Sequence, residues 1–279
     1  MDYEIINDIR CELGEGPVWD AKTKCFYYVD ISGKKVYRID RTGKPYAFDT
    51  PEQVGCFILT GGDTAVVGME TGIYTMNLSD NTYAFLCHPA ADEDSERYND
   101  GKASPDGKLF IGTIGGEGRC ALYCVGRGGT HETVTTGVTI SNGLAWDVKR
   151  GALYYIDTPA QCVYAFDYTE SGASGKRVCI RIPEENGMPD GMTIDEEGKL
   201  WVALWGGGMV GRYDPGTGAL LQKIMLPAKN ITSAAFCGDN LDELWVTSAG
   251  DNGRSPADGA LFRIKPGVRG FASDRYILI

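Results

Sequence analysis

The 279-residue sequence contains only two histidines, and its nine scattered cysteines include no Cys-x-x-Cys pair. His88 and His131 fall in turns or outer strands of the repeat described below, so no Ser-His-Asp triad can be assembled around them. A Gly-x-Ser-x-Gly nucleophile elbow is also missing. Cysteines without ligand spacing indicate buried thiols in a reducing compartment, and they argue against a disulfide framework or a zinc site.

Long apolar runs are absent as well, and no stretch approaches the ~20 residues needed to cross a bilayer. The first residues, MDYEIINDIRCELGEG, lack the basic-then-apolar layout of a signal peptide. We therefore expect a cytoplasmic protein with no membrane partner. Basic residues are few, because 27 Lys and Arg stand against 38 Asp and Glu, for a net charge of −11. That charge argues against nucleic acid as a partner, since phosphate contacts need basic surface.

No segment resembles a long amphipathic helix; a short, strongly apolar strand pattern instead returns six times along the chain. Its anchor residues are separated by 39, 44, 44, 47 and 44 positions, and they are Phe26, Ala65, Leu109, Leu153, Leu200 and Leu244. Four short strands every ~40–45 residues are typical of a β-propeller blade. We predict an all-β fold, a six-bladed β-propeller, as one domain over residues 1–279. A large β-sandwich is the alternative, and the fixed spacing disfavours it.

Each unit begins with a strand that would line the central channel of such a ring. In four units a polar residue precedes a glycine at the start of this strand; these residues are Glu15, Asp100, Asn142 and Asp190. The other two units offer Cys56, and Thr232 with Ser233, at the same place. Equivalent repeat positions form a ring at one mouth of the channel. Carboxylates that converge there would repel each other unless a cation lay among them, so the pattern predicts a metal site.

The predicted donors are oxygens, with no thiolate and no imidazole. Oxygen donors favour calcium, magnesium or manganese, while zinc remains possible because it accepts carboxylates. We therefore expect one divalent cation, Ca²⁺ before Zn²⁺, Mg²⁺ or Mn²⁺.

Two further expectations concern the ring itself. Either YEIINDI near the N-terminus or RYILI at the end of the chain would supply the strand that closes it, and the sequence leaves this choice open. Four tryptophans recur at blade positions and are predicted to be core residues: Trp19, Trp146, Trp201 and Trp245.

Five segments together resemble one family along the whole chain: GEGPVWD, RYNDGKASPDGKLFIGT, SNGLAWD, PDGMTIDEEGKLWVALWGGG and GALFRIKPGVRG. The chain is similar to the family of regucalcin (senescence marker protein) and gluconolactonases. The resemblance implies a six-bladed propeller with one divalent cation in its channel, and the hydrolysis of sugar lactones. It also implies that Glu15, Asn142 and Asp190 are the metal ligands. These three protein donors are too few to satisfy calcium, so water or substrate would complete the coordination, and an incompletely filled site of this kind indicates catalysis more than a structural role.

The same resemblance implies that Arg97 and Asn99 of RYNDG bind the substrate. A further family glutamate matches Glu117, although the glycines around it depart from the family pattern. The loop at 88–97 varies among such proteins and is a candidate lid over the channel mouth. The role of Asp100 stays open between a turn residue and a water-mediated ligand.

We therefore expect a divalent-metal-dependent hydrolase that opens a sugar lactone, its small-molecule partner, to an aldonic acid. Asp190 would accept the proton of the attacking water. The alternative is a calcium-binding regulatory protein of the regucalcin type without a dedicated lactonase role. A buffering or sensing role would need a fuller set of protein oxygens or a bistable element. A propeller that serves only as an interaction platform would not explain why acidic residues converge on the channel.

Overall fold

The computed structural model describes residues 2–40, 42–250 and 252–279, and these residues form strands almost throughout. In chain order, the strands are β1 (Tyr3–Ile5), β2 (Gly14–Asp20), β3 (Cys25–Asp30), β4 (Lys35–Ile39), β5 (Pro45–Asp49), β6 (Val54–Leu59), β7 (Thr64–Met69), β8 (Ile73–Asn77), β9 (Tyr83–Cys87), β10 (Ser95–Ala103), β11 (Leu109–Gly115), β12 (Cys120–Val125), β13 (His131–Val138), β14 (Ser141–Asp147), β15 (Ala152–Asp157), β16 (Cys162–Thr169), β17 (Gly172–Arg181), β18 (Met188–Ile194), β19 (Leu200–Trp205), β20 (Met209–Tyr213), β21 (Leu220–Met225), β22 (Asn230–Cys237), β23 (Glu243–Ala249) and β24 (Phe262–Ile264). Three single-turn 3-10 helices connect them, at Arg127–Gly129, Thr158–Ala160 and Glu184–Asn186. Within this described part of the chain, no helix is long and apolar enough to span a bilayer.

The strands pair into six antiparallel sheets of four, and each sheet is one blade. The first strand of each blade packs against the first strand of the next, in the order β2, β6, β10, β14, β18, β22 and back to β2. These six inner strands therefore line a central channel, and the predicted six-bladed β-propeller is confirmed. All six anchor residues lie on the second strands and are 0% exposed. The fixed repeat arises because each blade must bury this position against its neighbours.

The ring is closed by the N-terminal strand. β1 forms the outer edge of the last blade by pairing with β24, with Tyr3 opposite Ile264. The segment RYILI at the other end of the chain is not a strand. Its backbone bonds two other blades instead. Tyr276 N–H donates to the Leu59 carbonyl at the end of β6, and Ile277 N–H donates to the Gly107 carbonyl in the turn between β10 and β11, both at 2.9 Å. The segment that contains it, residues 269–279, crosses one mouth of the channel and is called the strap below.

The strap is fastened to several blades. Arg275 donates to the Thr60 carbonyl at 2.5 Å and pairs with the Asp20 carboxylate. Near its start, the Glu196 N–H donates to the Arg269 carbonyl at 2.9 Å. The strap thus runs along the mouth of the channel at which the inner strands end.

The tryptophan prediction is confirmed for three residues. Trp19, Trp146 and Trp201 are buried, at 8%, 7% and 0% exposure. Trp245, on β23, is partly exposed, and its ring centroid lies 4.6 Å from that of Phe26 in the first blade.

Candidate active site

Every inner strand shifts the register of its pairing with the second strand of its blade near its start. The register shifts fall between Glu15 and Val18, Val54 and Cys56, Tyr98 and Gly101, Asn142 and Leu144, Pro189 and Met192, and Ile231 and Ser233. A bulge of this kind leaves residues out of the ladder and redirects their side chains. The six breaks coincide with the positions at which the sequence shows its polar residues. The polar ring thus lies at the register shifts of the inner strands, where Glu15 and Asn142 still pair with Val29 and Ile156 and Asp190 is left out of the ladder.

The glycines that follow Asn142 and Asp190 have a steric reason. A Cβ on Gly191 would lie 2.1 Å from the Ser233 Oγ, and a Cβ on Gly143 would lie 2.8 Å from the Asp190 carbonyl oxygen. In both cases the obstacle is the inner strand of the next blade. Because the bulged strands approach one another this closely, only glycine fits beside the polar residue. The polar-glycine pairs are therefore a packing requirement of the ring as well as a turn signal.

The carboxylates of this ring are buried close to one another. Burial, followed by the charges of Asp190 and Asp100, raises the pKa of Glu15 well above its usual value. Burial and the Asp100 charge likewise raise the pKa of Asp190. Burial also raises the pKa of Asp100 to about 6, opposed by the cations of Lys102 and Arg97. Glu15, Asn142 and Asp190 are each 5–6% exposed, so this excess of buried negative charge suits a cation.

The donor set fits a hard divalent cation. Among the described residues, no group of three or more His, Cys, Asp or Glu side chains is arranged to hold a metal. The predicted set instead combines two carboxylates with an amide oxygen. Oxygen donors of this kind are preferred by calcium and magnesium. The residues that would hold the ion are Glu15, Asn142 and Asp190, and their roles as ligands stay a prediction.

The predicted substrate residues contact the predicted metal ligands. Arg97 Nη1 donates to Asn99 Oδ1 at 2.5 Å, and Asn99 Nδ2 donates to Asn142 Oδ1 at 3.1 Å. Asn99 Nδ2 also donates to the Ser141 carbonyl at 2.6 Å. Both side chains are buried, at 9% exposure for Arg97 and 6% for Asn99. A guanidinium held at this depth is not an ordinary surface arginine.

Glu117 is not brought into this cluster by any contact of the described structure. It is exposed, in the turn that links β11 to β12, where the Gly118 N–H donates to the Thr139 Oγ1 at 3.0 Å. Because Arg97 pairs with Ile114 near the end of β11, the turn that carries Glu117 lies at the same end of the blade as Arg97. Its role in substrate binding stays a prediction.

The loop at 88–97 is tied down at several points. Glu93 accepts hydrogen bonds from Thr113 Oγ1 at 2.7 Å and from the Tyr123 hydroxyl at 2.5 Å. The Ala90 N–H donates to the Tyr98 hydroxyl at 3.0 Å. These contacts anchor the loop to β10, β11 and β12 of its own blade, so it forms a fixed wall beside the RYNDG segment.

Two residues of the site were missed by the sequence analysis. Thr158 Oγ1 accepts a hydrogen bond from Asn142 Nδ2 at 2.7 Å. Its position follows Asp157, which pairs with Ser141, so a register argument across β14 and β15 could have found it. Lys102 Nζ donates to the carbonyls of Leu144 at 2.8 Å and Met192 at 2.9 Å. No repeat pattern marks Lys102, because its partners lie on two other blades.

Lys102 lines a cavity in the channel. This cavity of about 620 Å³ extends to the strap, and its lining includes Asp100, Lys102, Phe57, Phe236 and Asp274. Glu15, Asn142, Asp190, Arg97 and Asn99 are not among its lining residues. The cavity therefore reaches the polar ring at Asp100 without including the predicted metal ligands or substrate residues.

These observations define the class of protein: it is a six-bladed propeller with buried carboxylate and amide groups at one mouth of its channel. The sequence matches the family model of the "SMP-30/Gluconolactonase/LRE-like region" over residues 13–250. The chain therefore belongs to the SMP-30/gluconolactonase/LRE-like family, and the resemblance inferred from the motifs is confirmed.

Relatives align along nearly their full length. The chain is 36% identical to human regucalcin over 296 residues, covering 99% of this chain and 98% of the relative. It is 35% identical over 260 residues to YvrE of Bacillus subtilis (strain 168), which is named provisionally as a sugar lactone lactonase, with coverage of 89% and 87%. Among solved structures, a luciferin-regenerating enzyme superposes with a TM-score of 0.92 at 31% identity, covering 99% of both chains.

Proposed function

We propose that this protein is a divalent-metal-dependent hydrolase that opens sugar lactones to aldonic acids. The observation that carries the proposal is the buried convergence of Glu15, Asn142 and Asp190 beside the hydrogen-bonded pair Arg97 and Asn99. Membership of a family with lactonase-named relatives supports the reaction type. The acidic net charge of −11 favours a small molecule over nucleic acid, and the cytoplasmic location predicted above belongs to the same proposal.

The reaction is the addition of water to the lactone carbonyl carbon, followed by cleavage of the ring C–O bond. When bound, a divalent cation would supply Lewis-acid stabilisation for the charge that develops on the carbonyl oxygen. Asp190 accepts the proton from the attacking water. The released ring oxygen takes up a proton and becomes the hydroxyl of the aldonic acid.

Arg97 and Asn99 orient the substrate at the mouth. Arg97 has donors and no acceptors, so it binds carbonyl or hydroxyl oxygens of the sugar. Asn99 offers the same oxygens a partner next to Asn142. Holding the lactone in one orientation removes translational and rotational freedom before the reaction. Glu117, at the exposed turn, would contact the outer hydroxyls.

The experiment is a panel of aldonolactones scored by acid release, after chelation and reconstitution with Ca²⁺, Mg²⁺, Mn²⁺ or Zn²⁺. We expect turnover at catalytic protein concentration that depends on the added cation. Asp190→Ala, treated identically, is the matched control and should be inactive. Equal rates in chelated and reconstituted protein would contradict the metal dependence, and no acid release from any lactone would contradict the reaction.

The regucalcin name of several relatives favours one second candidate, a calcium-binding regulatory protein without a dedicated lactonase role. That function predicts Ca²⁺ binding with a conformational response and no turnover. Calcium titration followed by near-ultraviolet circular dichroism, with and without a sugar lactone, separates the two functions. A response to calcium alone, with no acid released, would favour the regulatory function.

A further inference from the structure

The amide of Asn142 can act as a metal ligand only when its oxygen faces the carboxylates. An asparagine side chain can rotate by 180° and exchange its oxygen for its NH₂ group, so its hydrogen-bond partners must decide the orientation. Asn142 is 5% exposed, and both ends of its amide have protein partners. These partners can be traced outward in both directions.

On one side the chain of hydrogen bonds ends at a group that can only donate. Arg97 Nη1 donates to Asn99 Oδ1 at 2.5 Å, and a guanidinium has no acceptor. The NH₂ group of Asn99 therefore points away from Arg97, toward the Ser141 carbonyl at 2.6 Å and Asn142 Oδ1 at 3.1 Å. Reversing Asn99 would put donor against donor at Arg97 and acceptor against acceptor at Ser141.

On the other side the chain ends at a group that can only accept. Thr158 Oγ1 donates its single proton to the Pro189 carbonyl at 2.8 Å. Its hydroxyl oxygen is then left to accept from Asn142 Nδ2 at 2.7 Å. Reversing Asn142 would require the Thr158 proton for the amide oxygen, and the Pro189 carbonyl, buried beside Asp190, would lose that donor.

We propose that Thr158 is a positioning residue that fixes the Asn142 amide with its oxygen toward the cation site. The hydrogen bonds run in one direction from Arg97 through Asn99, Asn142 and Thr158 to the Pro189 carbonyl. Because Pro189 directly precedes Asp190, the same hydroxyl joins the strand of one predicted ligand to the side chain of another. This inference rests on the proposed function, since it assigns Asn142 as a ligand.

The test measures cation affinity in the absence of substrate, by calorimetric titration of the chelated protein with Ca²⁺. Thr158→Val keeps the shape of the side chain and removes the hydroxyl. We expect it to weaken Ca²⁺ binding by about 10–100-fold, the range seen for groups that orient metal ligands. Thr158→Ser keeps the hydroxyl and is the matched control. Its Ca²⁺ affinity should stay close to that of the unmodified protein. If Thr158→Val does not fold, Thr158→Ala replaces it.

A second background separates positioning from a general structural role. In Asn142→Asp the carboxylate presents an oxygen whichever way it turns, so adding Thr158→Val should weaken Ca²⁺ binding much less than in the unmodified protein, and only through the lost bond to the Pro189 carbonyl. A double-mutant cycle should therefore show strong coupling between positions 142 and 158. An equal loss of affinity from Thr158→Val in both backgrounds would overturn the inference, as would unchanged affinity in Thr158→Val alone.

Asn142→Ala distinguishes failure of the inference from failure of the proposed function. Unchanged Ca²⁺ affinity in Asn142→Ala would show that Asn142 is not a ligand and would overturn both the site and the role of Thr158. A large loss in Asn142→Ala without a loss in Thr158→Val would leave the site standing and overturn only the positioning role.

Discussion

The two halves of the central channel are lined by the same six strands, yet they differ in almost every respect. The half at the strand starts is filled by buried side chains that hydrogen-bond across blades, such as Asn99 with Asn142. The other half contains a cavity of about 620 Å³ with phenylalanine and alanine among its lining residues. The two halves meet at the register breaks, where Asp100 and Ser233 also line the cavity.

The cavity does not coincide with the predicted metal ligands. Pockets with apolar walls and a few polar groups are the usual first hypothesis for a binding site. Here Glu15 and Asp190, whose pKa is raised, lie outside the cavity lining, whereas Asp100, whose pKa is also raised, lies in it. Ligands for a cation need close packing of oxygens, and the predicted ligands lie in the bulged half.

The largest effect is expected when one carboxylate in each half of the channel is replaced and the two variants are compared. Asp190→Asn should weaken cation binding by more than about 100-fold, because it removes a charged ligand and not only a group that orients one, and lactone hydrolysis should be lost. Asp274→Asn, in the strap beside the far cavity, is the matched control and should leave both properties nearly unchanged. Calorimetry and acid release measure them, and equal losses in the two variants would show that the halves do not differ in function.

A smaller effect is expected from Arg97→Ala. A charge-assisted hydrogen bond to substrate is worth ~1.5–3 kcal/mol, which corresponds to a fall in kcat/KM of roughly 10- to 100-fold. Cation affinity should stay unchanged or improve slightly, because a positive charge near Glu15 and Asp190 is removed while Ser141 still holds the Asn99 amide in place. Arg119→Ala is the control, since Arg119 forms an exposed ion pair with Asp94 and such pairs contribute little. A fall in kcat/KM no larger than that of the control would remove Arg97 from the substrate site.

Lys102→Met sharpens the comparison between the halves. The carbonyls of Leu144 and Met192 lose their ammonium donor, which should lower the free energy of unfolding by about 1–3 kcal/mol in urea titrations. Cation affinity should rise several-fold, because a resident positive charge near Glu15 and Asp100 is removed. Weaker cation binding in this variant would show that Lys102 serves the site mainly by holding the strands together.

The smallest effect is expected from Glu117→Ala. Its side chain is exposed, and exposed polar contacts contribute about 0.2–1 kcal/mol. We expect a modest rise in KM with unchanged kcat and unchanged cation affinity. Glu132→Ala, an exposed glutamate on the outer strand β13, is the control, and identical kinetics in the two variants would remove Glu117 from the substrate site.

The fold could be predicted because its signal is repeated six times. Burial of Phe26, Leu109 and their equivalents forces the same pattern on every blade. The closing strand could not be predicted, since β1 is three residues long and exposed throughout. Glu15, Asp100, Asn142 and Asp190 stood out because they share one repeat position, and the family resemblance selected three of them as predicted metal ligands. Lys102 was missed because its partners lie 42 and 90 positions away on other blades, and no local pattern records such contacts.

Closure of the ring by β1 has a consequence for how the chain folds during its synthesis on the ribosome. The first strand to emerge has its sheet neighbour at the far end of the chain; Glu4 and Arg263, which face each other across this seam, are 259 positions apart. Until β24 has been made, the nascent blades form an open arc, and an unpaired strand edge invites association with other chains. Because distant contacts form slowly, we expect completion of this seam to be the last step of folding.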